Sequence, residues 1–211
     1  MNRVVKGLTV PKTLLEFQNE VWSAKMLAKL SGVSLKTCYS QINGLLEKGL
    51  LHKEEKGFFT VIDRSALRQY LENVHDAPKW RYFFAPDDPE YFGKRLEEIA
   101  ERKELIYAMT GELGLWAYHQ HVQPLRTHIR IPKKFEKGLW KEIENDLLAV
   151  PCQSTRATIF VSSTNDPYPF LRTRTVNGYR VAPFVQVYLD CRALGARLAE
   201  GAQEAWRLVK R

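Results

Sequence analysis

The chain has 211 residues, of which 45% are hydrophobic and 11% aromatic; this is enough for one large or two small cores and excludes an intrinsically disordered chain. Its 32 Lys+Arg outnumber its 24 Asp+Glu, and the formal net charge of +8 favours polyanionic partners. No segment approaches the ~20 consecutive apolar residues of a membrane span, and the first twelve residues lack the apolar run of a signal peptide, so we expect a cytoplasmic protein.

The first part of the chain carries the apolar pattern of three short helices, the first beginning at Thr9 or Pro11. Ser23 and Ser34 are expected to cap the second and third helices, and Gly32 can take the positive φ of the turn between them. The spacing in the third helix predicts a stripe that faces the core, formed by Leu35, Cys38, Ile42, Leu45 and Leu46.

Gly49 is expected to end the third helix, and the segments Leu50–His52 and Phe58–Ile62 predict a two-stranded hairpin with a charged tip. Helix, glycine turn, helix and hairpin in this order resemble a winged helix-turn-helix. The resemblance implies that the third helix enters the major groove of double-stranded DNA. The residues expected to contact DNA are Ser34, Lys36, Thr37, Tyr39, Ser40, Gln41, Asn43, Lys53 and Lys56. The alternative is a solvated polar face on a winged helix that binds protein.

The winged helix-turn-helix domain is expected to span residues 1–75 and to end with the helix Ser65–Asn73, which Asp63 can cap. A fragment ending near Asn73 is expected to fold by itself. Residues 1–75 hold 11 Lys+Arg and 7 Asp+Glu, and residues 76–211 hold 21 and 17, so positive charge is denser in the first part. Residues 76–211 are expected to form a mixed α/β domain, which makes the fold class α+β.

The second domain alternates predicted strands and helices, with a loop at Thr164–Pro169. A hairpin with a type I′ turn is expected around Asn177-Gly178. The predicted strands are Trp80–Ala85, Leu105–Met109, Arg126–Ile131, Thr158–Ser163, Leu171–Val176, Tyr179–Pro183 and Val185–Asp190. The predicted helices are Glu90–Lys103, the segment from Leu113 to Tyr118, Phe135–Leu147 and Ala193–Lys210.

Cysteine and histidine spacing indicates no metal site. The cysteines are Cys38, Cys152 and Cys191, which are odd in number and lie far apart, so neither a disulfide framework nor a zinc site is expected. His119 and His121 are two residues apart and would point to different sides of a helix, and no nearby carboxylate completes a zinc pattern with His128. We predict neither a metal nor another cofactor.

The segment from Met109 through Thr110-Gly111-Glu112 to His119, followed by Thr127–Ile131, resembles the entry to the nucleotidyltransferase fold. In that fold a glycine-rich turn approaches the nucleotide, and two acids on the next strand hold magnesium. Here that strand carries His128 and Arg130 and no carboxylate, and magnesium requires oxygen ligands. We therefore expect a degenerate nucleotidyltransferase-like domain that is not an enzyme.

Over most of its length the chain resembles the AbiEi-type antitoxins of type IV toxin–antitoxin systems. The resemblance rests on the winged helix, on the segment MTGELGLWAYH and on the closing segment VQVYLDCRALGARLAEGAQEAWRLV. It implies an autorepressor that binds inverted repeats in its own promoter as two copies, with a C-terminal domain that opposes a nucleotidyltransferase-like toxin. The alternatives are a winged-helix protein-interaction module and a nucleotidyltransferase-like enzyme.

Overall fold

In the computed structural model, residues 8–120 and 123–209 are described, and they combine α-helices with two β-sheets. The helices are α1 (Thr9–Glu16), α2 (Ala24–Ser31), α3 (Leu35–Glu47), α4 (Arg64–Val74), α5 (Pro89–Lys103), α6 (Gly111–Tyr118), α7 (Glu136–Asn145), α8 (Tyr168–Leu171), α9 (Phe184–Leu194) and α10 (Ala196–Val209). The strands are β1 (Trp22–Ser23), β2 (Leu51–Lys53), β3 (Phe58–Val61), β4 (Arg81–Phe84), β5 (Ala108–Thr110), β6 (Thr127–Pro132), β7 (Val150–Pro151), β8 (Ile159–Thr164), β9 (Arg174–Val176) and β10 (Tyr179–Val181). None of these helices is long and apolar enough to cross a membrane.

The chain forms two compact units. The first ends at His75 and also includes Asp166–Leu171, and the second is made of Asp76–Asn165 and the chain from Arg172 onward. The predicted ranges 1–75 and 76–211 do not contain this return of the chain to the first unit. Part of the returning segment is helical, as α8, where the sequence predicted the loop Thr164–Pro169 and a strand from Leu171; the strand begins only at Arg174.

The helices of the first unit begin and end as the sequence predicts. The Ser23 hydroxyl accepts a hydrogen bond from the N–H of Met26 (3.1 Å) and caps α2. Gly32 follows α2 with φ of 61°. Two backbone hydrogen bonds end α3 in a Schellman arrangement, because the N–H of Gly49 donates to Leu46 (3.0 Å) and that of Leu50 to Leu45 (2.9 Å).

A three-stranded antiparallel sheet follows, with the order β1-β3-β2. Leu51 lies opposite Val61 in the hairpin, which confirms the two predicted strands. The third strand, β1, was not predicted; it pairs Trp22 with Phe59, and both side chains are buried. The sheet therefore closes one side of the apolar core formed by the helices.

The core of the first unit confirms most of the predicted stripe on α3. Cys38, Ile42 and Leu45 are buried, and burial raises the pKa of the Cys38 thiol to about 11. The prediction for Leu35 is wrong, because its side chain is 47% exposed. Leu35 is the first residue of α3, and it lies beyond the part of the helix that packs against the core.

An ion pair between a buried lysine and a partly exposed aspartate joins α1 to the returning segment within the first unit. The Lys12 side chain is 2% exposed and that of Asp166 29% exposed, and the ammonium lies 2.6 Å from a carboxylate oxygen. The Tyr168 hydroxyl donates a hydrogen bond to the carbonyl of Lys12 (3.3 Å). Leu171 packs against Gly32, where an added Cβ would lie 2.7 Å from the leucine side chain. A fragment ending near Asn73 would lack these contacts. Its independent folding therefore depends on how much they contribute to the stability of the first unit.

The second unit contains a seven-stranded sheet with the order β7-β4-β8-β6-β5-β10-β9. The pairs β6/β8 and β5/β10 are parallel and the other neighbours are antiparallel, which confirms a mixed sheet. Asn177 and Gly178 have φ of 51° and 82°, and Val176 pairs with Tyr179, so the type I′ hairpin is also confirmed.

The prediction of a strand at Val185–Asp190 is wrong. These residues belong to helix α9, which follows Pro183, and their side chains are all buried. An exposed polar face shows in the sequence as polar residues at a regular spacing, which differs between a helix and a strand. A segment that is buried on every side lacks such a face, so its sequence does not distinguish the two. The predicted final helix from Ala193 is interrupted at Gly195 (φ 72°) and continues as α10, and its predicted end, Lys210, lies outside the described residues.

Candidate functional site

The outer face of α3 presents a row of polar side chains. Lys36, Ser40 and Asn43 are exposed and lie on successive turns of one face. Beside them, Leu35 and Tyr39 form an apolar flank, with 47% and 46% of their surfaces exposed. This face combines one cation, hydroxyl and amide groups, and two apolar side chains.

The N-terminus of α3 is shaped by two hydroxyl groups. Ser34 is exposed, and its hydroxyl accepts a hydrogen bond from the N–H of Thr37 (3.1 Å). The hydroxyl groups of Ser34 and Thr37 lie 2.9 Å apart, and Thr37 is half-buried. Of these two predicted contact residues, Ser34 thus has a structural role as the helix cap.

The placement of Gln41 on the exposed face is wrong. Its side chain is 9% exposed, and its amide oxygen accepts a hydrogen bond from the N–H of Val10 (2.9 Å). Val10 lies in the first turn of α1, where backbone N–H groups have no partner within the helix, and Leu8 at the cap position offers no oxygen on its side chain. Gln41 therefore caps α1 from α3 and does not belong to the exposed surface.

The hairpin tip carries both signs of charge. Lys53 and Lys56 are exposed, as predicted contact residues should be, but Glu54 and Glu55 lie between them and are exposed too. The Glu54 carboxylate accepts a hydrogen bond from the Thr60 hydroxyl (3.0 Å). The four charges sum to zero, so the tip has no net positive charge that would attract DNA. A phosphate contact here would have to be made by an individual lysine side chain.

Two further cations lie on the outer side of α2. Lys25 and Lys29 are exposed and four residues apart, while Ala24, Leu27 and Ala28 face the core. Their spacing was visible in the sequence, because residues i and i+4 share one face of a helix. They were not among the predicted contact residues.

We expect Gln41→Ala to destabilise the first unit and to leave recognition of any bound DNA unchanged. The substitution removes the cap of α1 and leaves the buried N–H of Val10 without an acceptor, which costs about 1–2 kcal/mol. Hydrogen exchange of the backbone N–H groups of α1 and α3 measures the loss, because it resolves the first unit from the second. Asn43→Ala, on the exposed face of the same helix, is the matched control and should leave stability within about 0.5 kcal/mol of the wild type. Equal stability of the two variants would contradict the capping role.

In the second unit, β6 and α9 hold a buried polar cluster. The Arg130 guanidinium donates to both carboxylate oxygens of Asp190, at 3.1 and 2.5 Å. Thr110 and Gln186 donate to the same carboxylate at 2.8 and 2.9 Å. Arg130 also lies over the ring of Trp80, with 5.6 Å between its guanidinium and the ring centroid. These groups satisfy one another, which accounts for a charged pair deep in the domain.

The His128 ring packs against the Thr110-Gly111 turn, whose sequence resembles the glycine-rich turn of a nucleotide site. Gly111 has φ of 56°, and a Cβ at this position would lie 2.4 Å from the His128 ring. Burial, reinforced by the positive charge of Arg126, lowers the pKa of His128 to about 3. The neutral ring can therefore accept a hydrogen bond from the N–H of Glu112, at 3.4 Å. The imidazole ring therefore fills the space directly beside Gly111.

Glu112 has structural partners. One oxygen of its carboxylate accepts hydrogen bonds from the N–H groups of Leu125 (2.7 Å) and Arg126 (3.1 Å), and Arg197 lies 3.6 Å away.

No three His, Cys, Asp or Glu side chains of residues 8–120 and 123–209 are arranged as metal ligands, and His121 lies outside these ranges. Arg180, on the hairpin, pairs with Glu97 at 2.7 Å.

Comparison with known proteins leaves the family open. No protein-family model matches the chain, and no curated protein matches it. The resemblance to AbiEi-type antitoxins therefore rests on the sequence segments quoted above. One of them, the closing segment, folds as two helices and not as the strand and helix that the resemblance led us to expect.

Proposed function

We propose that the protein is a sequence-specific regulator of transcription that binds double-stranded DNA through its first unit. In this proposal α1, α2 and α3 with the β2–β3 hairpin form a winged helix-turn-helix, and α3 enters the major groove. The observation that carries the proposal is the outer face of α3, where Lys36, Ser40 and Asn43 are exposed next to the Gly32 turn. A helix fits the major groove, and side chains of these types can hydrogen-bond base edges and phosphates.

In this proposal, exposed lysines of the first unit contact the phosphates. Lys36 begins the exposed row on α3, Lys25 and Lys29 lie on the preceding helix, and Lys53 and Lys56 lie on the hairpin. The net charge of +8 supports a polyanionic partner. We assign base contacts to Ser40 and Asn43, and phosphate contacts to the lysines.

We further propose that the regulator is an autorepressing, cytoplasmic antitoxin of a type IV toxin–antitoxin system. This rests on the resemblance of the first unit and of the turn before α6 to AbiEi-type antitoxins. In this proposal two copies bind inverted repeats in the promoter, and the second unit opposes a nucleotidyltransferase-like toxin. A nucleotidyltransferase-like reading frame beside its own would support the assignment.

We propose that the second unit does not transfer nucleotides. The strand β6 offers no carboxylate, its Arg130 is bound to Asp190, and His128 fills the space beside Gly111. Of the two acids close to this turn, Asp190 is held by Arg130 and Thr110, and Glu112 holds the backbone of residues 125–126. Nucleotidyl transfer requires a metal held by oxygen ligands, and this turn does not present them.

A second candidate function is a winged-helix module that binds protein. It is favoured by the flank of Leu35 and Tyr39, because exposed apolar side chains on a helix commonly mark protein interfaces. In a DNA complex the same two side chains could pack against thymine methyl groups. Replacement of thymine by uracil in a bound duplex separates the two roles, because only the DNA-binding role depends on that methyl group.

The experiment that tests the proposal is binding of the full chain to the DNA upstream of its reading frame across a salt series. Each lysine–phosphate contact releases counterions, so Lys53→Ala should reduce the slope of log affinity against log salt by about one. Lys94→Ala, an exposed lysine of the second unit, is the matched control and should leave the slope unchanged. Equal slopes for both variants and the wild type would remove Lys53 from the interface.

A further inference from the structure

Aromatic side chains cross one face of the sheet in the second unit. The strand register places Tyr82 of β4 opposite Phe160 of β8, and Phe160 beside His128 of β6. Phe84 shares the face of Tyr82, because side chains two residues apart on a strand point the same way. Trp80 precedes β4, and its ring lies 6.3 Å from that of Phe160. We call Trp80, Tyr82, Phe84 and Phe160 the aromatic face.

The aromatic face has a buried base and an exposed side. Phe160 is nearly buried, and Tyr82 meets it edge-on, with 5.3 Å between centroids and an angle of 89°. Tyr82 and Trp80 are half-buried, and Phe84 is 40% exposed. Val150, which pairs with Phe84 on the edge strand β7, is exposed as well. Ring surface on this side of the sheet is therefore open to solvent.

An exposed cation lies beside the rings. The guanidinium of Arg126 is 5.3 Å from the ring centroid of Phe160. Within the part of the chain that the structure describes, no carboxylate pairs with this guanidinium. The nearby Glu112 uses one carboxylate oxygen for two backbone N–H groups, and the exposed Arg197 lies 3.6 Å from that oxygen.

We propose that the aromatic face binds single-stranded nucleic acid, with bases stacked on Tyr82 and Phe84 and a phosphate paired with Arg126. Exposed aromatic rings on a sheet surface beside arginine side chains supply both interactions that single strands require. An apolar protein surface would desolvate the Arg126 guanidinium without offering it a counter-charge, whereas a phosphate supplies one. The site is separate from α3 and does not depend on duplex binding there.

The test is fluorescence anisotropy of a labelled oligo-dT strand of about 12 nucleotides, titrated with the full chain. Stacking on one ring changes affinity roughly fivefold or more, so the double variant Tyr82→Leu, Phe84→Leu should bind at least about twentyfold more weakly. Tyr82→Phe keeps the ring and is the matched control, which should bind like the wild type. Arg126→Gln should weaken binding and reduce its salt dependence.

Absence of oligonucleotide binding by the wild type, or equal binding by the leucine double variant, would overturn the proposal. The outcome is independent of the duplex-binding role proposed for the first unit. Ser40→Ala and Asn43→Ala, both on α3, should leave oligo-dT affinity unchanged. A loss of oligo-dT binding in these α3 variants would place the single strand on the first unit and equally overturn the proposal.

Discussion

Replacing Asp190 by asparagine is expected to lower the free energy of unfolding of the second unit by about 3–5 kcal/mol. Asparagine keeps the size of the side chain but removes the charge, and the buried Arg130 guanidinium then loses the carboxylate that binds it at two points. Thr110 and Gln186 lose a charged acceptor at the same time. Four of the five tryptophans lie between residues 76 and 211, so urea denaturation followed by fluorescence reports mainly on this unit.

A double variant separates the cost of a broken pair from the contribution of the pair itself. Arg130→Met with Asp190→Leu replaces both charges by apolar side chains of similar volume, a change that is often close to neutral. We expect the double variant to recover part of the stability lost in Asp190→Asn, because the buried charge is gone but Thr110 and Gln186 still lack their acceptor. A single variant within about 0.5 kcal/mol of the wild type would show that the ion pair does not stabilise the unit.

Replacing Asp166 by alanine is expected to destabilise the first unit by about 2–4 kcal/mol, although Asp166 lies 154 residues after Lys12 in the sequence. The substitution removes the carboxylate 2.6 Å from the buried Lys12 ammonium. Hydrogen exchange of the backbone N–H groups of α1 and α2 reports the change, because it resolves the first unit from the second.

The neighbouring residue provides the control. Asn165 is exposed, and Asn165→Ala should leave stability within about 0.5 kcal/mol of the wild type. Adding Lys12→Met to Asp166→Ala should restore part of the stability, because the side chain left in the core is then uncharged. The same Lys12→Met change should stabilise a fragment of residues 1–75. Equal stability of the Asp166 and Asn165 variants would contradict a contribution from the ion pair.

Elements with a polar face, a cap or a turn signal could be predicted from the sequence. Ser23, Ser34 and Asp63 cap the helices that they were expected to cap, because a side chain next to a helix can reach the N–H groups of its first turn. The Asn177-Gly178 turn also set the register of its hairpin. These signals are local, so no knowledge of the rest of the chain was required.

Features that depend on a distant partner could not be predicted. Gln41 is polar, and only the arrival of the α1 N-terminus makes its buried position favourable. Leu35 is apolar, but the core does not extend to the first residue of its helix. The helix at Val185–Asp190 has no exposed side to reveal its period, and the return of Asp166–Leu171 to the first unit depends on a contact across most of the chain.

We propose that the outer face of α3 reads the sequence of double-stranded DNA. The most direct measurement compares the affinity of the full chain for its upstream DNA with that for a scrambled duplex of equal length and composition. We expect a ratio of about 10³ or more for the wild type at physiological salt. The Ser40→Ala, Asn43→Ala double variant should have a ratio closer to one, because it lacks the two side chains assigned to base contacts. Both side chains are exposed, so the substitutions leave the core intact. A wild-type ratio near one, or an unchanged ratio in the double variant, would contradict the claim.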